Sequence, residues 1–102
     1  TGLAKGAAVD SYVWDTLNKF QPDITRKTRI LDKSPEYGFP PFVAHRNVGR
    51  DDFKLMQAAL LGMEQDAAGK ALLARLNIGG FVVGERRMYD GVAKMMRAFG
   101  EL

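Results

Sequence analysis

A proline-rich stretch at residues 34–41 limits the possible folds of this chain more than any other feature. Its sequence, Ser-Pro-Glu-Tyr-Gly-Phe-Pro-Pro, places three prolines and one glycine within eight residues. Because proline fixes φ and removes a backbone donor, neither a helix nor an inner strand can continue through it. The stretch is therefore predicted to be a stiff, extended connector between two parts of the chain.

The part before the connector has a strand-helix-strand pattern. Residues 7–9 are small or β-branched and predict a short buried strand, and Asp10-Ser11 is a helix-start signal. A helix is predicted from there to Phe20, ended by Gln21-Pro22, and residues 28–33 predict a second strand. The predicted helix carries one apolar stripe, formed by Val13, Trp14, Leu17 and Phe20.

The part after the connector is mainly helical in pattern. Residues 42–45 predict a short strand, and a helix capped by Asp51 or Asp52 is predicted to run to about Met63. A second helix, from near Asp66 to Asn77, would form a hairpin with it. After an extended apolar piece at residues 81–83, an amphipathic helix is predicted over residues 86–99. The whole order predicts an α/β fold: β-α-β, connector, strand, three helices.

Composition excludes several classes of site. The chain has 102 residues, enough for one domain or a piece of one, and too few for two lobes with a cleft between them. It has no cysteine, so disulfides, thiolate metal sites and cysteine nucleophiles are excluded. His45 is the single histidine, which leaves no second imidazole for a metal pair. No serine and aspartate can be placed beside it, so no Ser/His/Asp triad is predicted. No metal, cofactor or catalytic residue is predicted.

The charge pattern does not favour nucleic acid as a partner. The net charge is +3, and the basic residues are spread along the chain apart from the clusters at residues 26–29 and 86–87. A nucleic-acid interface needs a basic face with interleaved aromatic residues, which is not seen. The pair Arg86-Arg87 is interpreted as a solvated helix start. No apolar run approaches the roughly 20 residues of a membrane span, and residues 1–5 have no signal-peptide core.

Three stretches together carry a family resemblance. The first is the Ala-Ala-Val-Asp-Ser-Tyr-Val-Trp corner at residues 7–14, and the second is the proline-rich connector. The third begins with Ala-Ala-Leu-Leu-Gly-Met at residues 58–63 and ends with Leu-Asn-Ile-Gly-Gly-Phe at residues 76–81. In order and spacing, the chain resembles the C-terminal part of the periplasmic substrate-binding proteins of phosphate/phosphite/phosphonate ABC transporters. The Val-Asp-Ser-Tyr corner and the connector are the most specific pieces.

The resemblance implies a type II periplasmic-binding-protein-like fold, in which two α/β lobes joined by two crossing segments close on a ligand. Residues 1–33 would finish the second lobe, residues 34–43 would be the hinge or crossing segment, and residues 44–102 would return to the first lobe. The chain would then be a C-terminal fragment with half of the cleft. A periplasmic location with a signal peptide upstream, an ABC transporter permease as partner, no catalysis, and self-association of the fragment are expected.

The family's cleft aspartate falls on Asp10, with Ser11 and Tyr12 as weaker candidates for the same ligand site. A phosphonate or phosphite can keep one P–OH proton, and an aminophosphonate also carries an ammonium group, so a carboxylate can accept a hydrogen bond from either. The same carboxylate would repel a fully ionised oxyanion. Alternatively, Asp10 is only a helix N-cap, which stabilises a helix by about 1 kcal/mol without touching a ligand.

Two other functions fit the same sequence. The module could be the ligand-sensing domain of a membrane signalling protein, in which ligand closure biases a downstream element. It could also be a small, independent α+β protein-interaction module. Transmembrane and kinase segments after Leu102 would favour the sensor, and a compact monomer without exposed apolar surface would favour the interaction module.

Overall fold

The computed structural model describes residues 2–100. The chain divides into two compact units, with the boundary between Lys33 and Ser34. The helices of the first unit are α1 (Ser11–Phe20) and the short α2 (Pro22–Thr25). Those of the second unit are α3 (Arg50–Leu61), α4 (Ala67–Leu76) and α5 (Asp90–Ala98), with 3₁₀ turns at Met63–Gln65 and Arg86–Tyr89. None of the helices in the described part is long and apolar enough to cross a membrane.

The first unit is held together by a polar clasp between α1 and α2. Thr25 is buried, and its Oγ1 lies 2.7 Å from Asn18 Oδ1 and 3.1 Å from the Pro22 carbonyl oxygen. The Thr28 hydroxyl donates to the Thr25 carbonyl oxygen at 2.7 Å and accepts from Trp14 Nε1 at 3.1 Å. These hydrogen bonds hold α1 in a fixed orientation relative to α2.

The second unit contains a helical hairpin whose ends have sequence-specific caps. The Asp66 carboxylate accepts from the Gly69 N–H at 2.9 Å at the start of α4, and Asn77 ends the helix in the left-handed conformation, with φ of 55°. The Ile78 N–H then donates to the Leu73 carbonyl oxygen at 3.0 Å. Leu73, 2% exposed, is the buried apolar residue of the described part.

The proline-rich connector lies against the C-terminal helical segment of the second unit. The Gly38 N–H donates to the Met88 carbonyl oxygen at 3.1 Å, and the Tyr89 hydroxyl donates to the Phe39 carbonyl oxygen at 2.9 Å. A Cβ on Gly38 would stand 2.7 Å from that Met88 oxygen, so this close approach requires glycine. The connector is thus anchored by its backbone.

The predicted α/β fold is wrong for the described residues. The segments 7–9, 28–33 and 42–45 are non-helical, as expected, but no residue from 2 to 100 belongs to a strand. A strand exists only when its backbone pairs with another extended segment, and the backbone hydrogen bonds of these three segments in the described part are turn bonds, such as that from the Thr28 N–H to the Thr25 carbonyl oxygen. The type II lobe architecture is therefore not what this chain forms: its regular structure is helical.

Two smaller expectations also need correction. Gly49 is the N-cap of α3 without a side-chain hydrogen bond, while Asp51 and Asp52 lie in the first turn, where a carboxylate favours the positive end of the helix dipole. The last helix begins as a 3₁₀ turn and becomes α-helical at Asp90. The predicted apolar stripes remain largely open to solvent, since many of their members are half exposed, among them Phe20, Met56, Leu76 and Phe99.

Candidate functional site

The candidate site lies at the first turn of α1, where the sequence predicted it. Asp10 has non-helical dihedral angles, φ −59° and ψ 131°, and Ser11 opens the helix. Asp10 and Ser11 are exposed, and Tyr12 is partly buried. The three residues are consecutive at the start of α1.

The two oxygens of the Asp10 carboxylate have different roles. Oδ1 accepts hydrogen bonds from the backbone N–H groups of Tyr12, at 2.8 Å, and Val13, at 3.3 Å. This is an N-cap, as the simpler interpretation predicted. Oδ2 makes no hydrogen bond with any residue from 2 to 100. Capping therefore occupies one side of the carboxylate and leaves the other available.

Ser11, the residue after Asp10, has two unused donors. Neither its hydroxyl nor its backbone N–H has a hydrogen-bond partner within the described part of the chain. An uncapped N–H in the first turn of a helix favours an anion, because it lies at the positive end of the helix dipole. The N–H of Tyr12, in contrast, is used by the cap.

The combination of groups limits the chemistry of this corner. Ser11 can donate to an anionic oxygen, and Asp10 Oδ2 can only accept. Donors and an acceptor side by side suit an oxyanion that still carries a proton, or one with an attached ammonium group. They do not suit a fully ionised oxyanion, which the carboxylate repels.

Other residues weighed in the sequence have no such arrangement. His45 is exposed, and its Nδ1 accepts from the Asn47 N–H at 3.2 Å. Within residues 2–100, no group of three or more His, Asp or Glu side chains is placed to hold a metal ion. Tyr37 packs beside Gly91, where an added Cβ would lie 3.0 Å from the tyrosine ring. Tyr37 therefore serves packing within the second unit.

One feature was missed at the sequence level. Arg86 and Arg97 line a groove of about 290 Å³ together with Tyr89, Asp90 and Ala93. In the sequence, the pair at residues 86–87 is interpreted as a solvated helix start, and that interpretation does not predict that Arg97 lines the same groove. The signal was present as the recurrence of basic residues through residues 86–97.

The family comparison covers most of the chain, including the corner. A family model described as the phosphonate ABC transporter periplasmic substrate-binding protein matches residues 1–89, which is most of the chain. The chain belongs to this family. No curated protein matches the sequence. The match includes Asp10, Ser11 and Tyr12 and ends before α5.

Membership supports the general role predicted from the resemblance. The family consists of solute-binding proteins rather than enzymes, and it implies a small phosphonate-type ligand, work with an ABC transporter, and a periplasmic or extracellular location. The family's name does not specify which side chains contact the ligand. That assignment depends on the chemistry of the corner.

Proposed function

We propose that this chain is part of the substrate-binding component of an importer for phosphonate-, phosphite- or phosphate-like oxyanions, with Asp10, Ser11 and Tyr12 at the ligand. The single observation that supports it best is the divided use of the Asp10 carboxylate. Oδ1 caps α1, Oδ2 has no partner among residues 2–100, and the hydroxyl and N–H of the following residue, Ser11, are also unused within those residues. A cap alone does not need this second arrangement.

In this proposal Asp10 sets selectivity among oxyanions. Its carboxylate accepts from a P–OH group or from the ammonium group of an aminophosphonate, and Ser11 donates to an anionic oxygen of the same ligand. A ligand without a proton to donate meets an uncompensated negative charge, which lowers its affinity. Monoprotonated and zwitterionic ligands are therefore preferred.

The corner is proposed to be half of a cleft. Asp10 and Ser11 are exposed, whereas binding sites for small molecules bury about 70–90% of the ligand surface. The remaining contacts must come from further polypeptide that faces the corner. Residues 34–43 are proposed to be the crossing segment to that second half, with residues 1–33 and 44–102 on either side of it.

Calorimetry on the full-length protein that contains this chain tests the assignment, with a phosphonate, phosphite and phosphate as separate ligands. Asp10→Ser keeps an N-cap hydroxyl and removes the carboxylate, so folding is preserved while the acceptor is lost. We expect a loss of affinity of at least about 10-fold, the value of one hydrogen bond to a charged group. The 102-residue chain alone is expected to bind weakly or not at all.

Asp15→Asn provides the matched control. Asp15 lies on α1, is exposed, and has no hydrogen bond in the described part, so its replacement changes the charge of the same helix equally. This variant should bind as the parent does. Equal binding by Asp10→Ser and the parent would remove Asp10 from the site, and absence of binding to any of the three ligands would contradict the oxyanion proposal.

A further inference from the structure

Residues 86–99, called here the basic segment, carry a net positive charge. The segment contains four basic residues and one acidic residue, a net charge of +3. Most of its 14 residues lie in α5 and the 3₁₀ turn before it.

Three of the four cations have no partner in the described part of the chain. Arg87 forms an ion pair with Glu85, with Nε 2.6 Å from Oε2. The side chains of Arg86, Lys94 and Arg97 make no hydrogen bond or ion pair with residues 2–100. Their charge is available to an external anion.

Two of these cations share the groove next to α5. Arg86 and Arg97 line its volume of about 290 Å³, with Asp90 as the single carboxylate. The groove has an excess of one positive charge, and two guanidinium groups can each bind a phosphate group through two parallel hydrogen bonds. A phosphate diester is a suitable ligand for such a pair.

Apolar side chains are exposed on the same segment. Met88, Met95 and Phe99 are 39%, 43% and 78% exposed. Met95 and Phe99 are four residues apart and therefore share a face of the last turns of the helix, and Lys94 and Arg97, three apart, share another. Cations on one face and apolar side chains on the other characterise a helix that lies in a membrane interface.

We propose that the basic segment binds the surface of an anionic phospholipid membrane. Arg86 and Arg97 contact lipid phosphates, Lys94 adds electrostatic attraction, and Met95 and Phe99 enter the boundary between headgroups and acyl chains. Free phosphate would fill the groove but would leave the apolar side chains in water. A second copy of the basic segment would carry the same positive charge, so the two copies would repel each other. An anionic lipid surface satisfies both faces at once.

This proposal does not depend on the ligand assigned to Asp10, because it involves other residues on other elements. It gives a transport protein of this family a physical advantage, since a chain held at the membrane surface stays near a membrane-embedded transporter. The basic segment lies mostly beyond residue 89, where the family match ends.

Vesicle co-sedimentation of the 102-residue chain tests the proposal. The vesicles contain either phosphatidylcholine alone or phosphatidylcholine and phosphatidylglycerol in equal parts. We expect binding to the anionic vesicles only, reduced by salt. The double variant R86Q/R97Q should weaken partitioning about 30-fold, at roughly 5-fold per cation near the surface, and Phe99→Ser should weaken it further.

R46Q/R50Q is the matched control, because it removes two exposed arginines and the same total charge from other elements. It should retain anionic-vesicle binding close to that of the parent, and circular dichroism should show equal helix content in all variants. Equal losses in R86Q/R97Q and R46Q/R50Q would overturn the assignment to the basic segment. Absence of vesicle binding, or equal binding to neutral vesicles, would overturn the lipid proposal. Binding to immobilised polyglutamate but not to vesicles would also overturn the lipid proposal, because it would identify an acidic protein as the partner.

Discussion

Asp10 shows how one side chain can satisfy a structural and a functional requirement together. Its Oδ1 accepts from the N–H groups of Tyr12 and Val13, so the carboxylate is held in place by the backbone that it caps. A carboxylate oriented in this way needs little further ordering when a ligand approaches Oδ2. The cap and the proposed ligand contact are therefore compatible, and the two interpretations of Asp10 do not compete.

Gly69 is the residue whose replacement should damage the second unit most directly. It is buried in the first turns of α4, and a Cβ at this position would collide with the Met63 carbonyl oxygen. Alanine favours helix by about 0.5–1 kcal/mol relative to glycine, but a collision with backbone forces movement that costs about 1–3 kcal/mol. Gly69→Ala should therefore lower the free energy of unfolding, measured by urea denaturation.

Gly84→Ala is the control for this substitution. No atom lies within 4 Å of a Cβ built on Gly84, and its φ is not in the left-handed range. The midpoint of urea denaturation of the Gly84→Ala protein should be unchanged or slightly higher than that of the parent, because alanine reduces the entropy of the unfolded chain. A Gly69→Ala protein as stable as the parent would show that the approach of α4 to Met63 is looser than the structure indicates.

At the scale of elements, the connector and the C-terminal helical segment stabilise each other. The connector cannot form regular hydrogen bonds of its own because of its prolines, so its backbone groups need outside partners. Gly38 and Phe39 find them at Met88 and at the Tyr89 hydroxyl. If residues 34–43 are a crossing segment, its position depends on these contacts.

Tyr89→Phe should loosen this contact. The substitution removes the hydroxyl that donates to the Phe39 carbonyl oxygen, and a net hydrogen bond contributes about 0.5–1.5 kcal/mol. The expected result is faster amide hydrogen exchange at Gly38 with unchanged exchange in α1. Tyr37→Phe is the matched control, since the Tyr37 hydroxyl has no hydrogen bond within residues 2–100. Equal exchange at Gly38 in both variants would contradict a role for the Tyr89 hydroxyl.

At the scale of the whole molecule, the chain exposes more surface than a folded monomer of its mass. Its accessible surface is 9458 Å², whereas a compact protein of 11.3 kDa exposes about 5700 Å², so the excess is roughly 3700 Å². The exposed surface includes many large apolar side chains.

The 102-residue chain should therefore self-associate. The exposed apolar side chains include Leu31, Phe42, Val43, Leu55, Met56 and Val82, which are 60–86% exposed. Burial of such surface contributes about 25 cal/mol per Å², so covering even part of the excess favours a dimer or larger species. Sedimentation equilibrium at increasing protein concentration measures this. A compact monomer that binds no apolar dye would contradict it and would favour an independent interaction module.

Local features of this protein could be predicted from its sequence. The helix from the Asp10 corner to Phe20, the start of a helix near Asp66 and its end at Asn77 were all predicted and are confirmed. Each depends on hydrogen bonds between residues a few positions apart, which a linear sequence displays directly. The N-cap at Asp10 is local in the same way, whereas the assignment of Asp10, Ser11 and Tyr12 to a ligand stays a prediction.

Only the tertiary structure decided what depends on distant partners. Residues 7–9, 28–33 and 42–45 have strand-like sequences, yet they form no strand, because a ladder requires a second backbone that the described residues do not provide. The groove of Arg86 and Arg97 likewise depends on the fold. The two residues are eleven positions apart in the sequence, and a 3₁₀ turn followed by a helix places them along the same groove. Sequence alone determined the helices and their ends, since helical hydrogen bonds are local. Pairing, burial and the grouping of charges are not local, and the fold determined them.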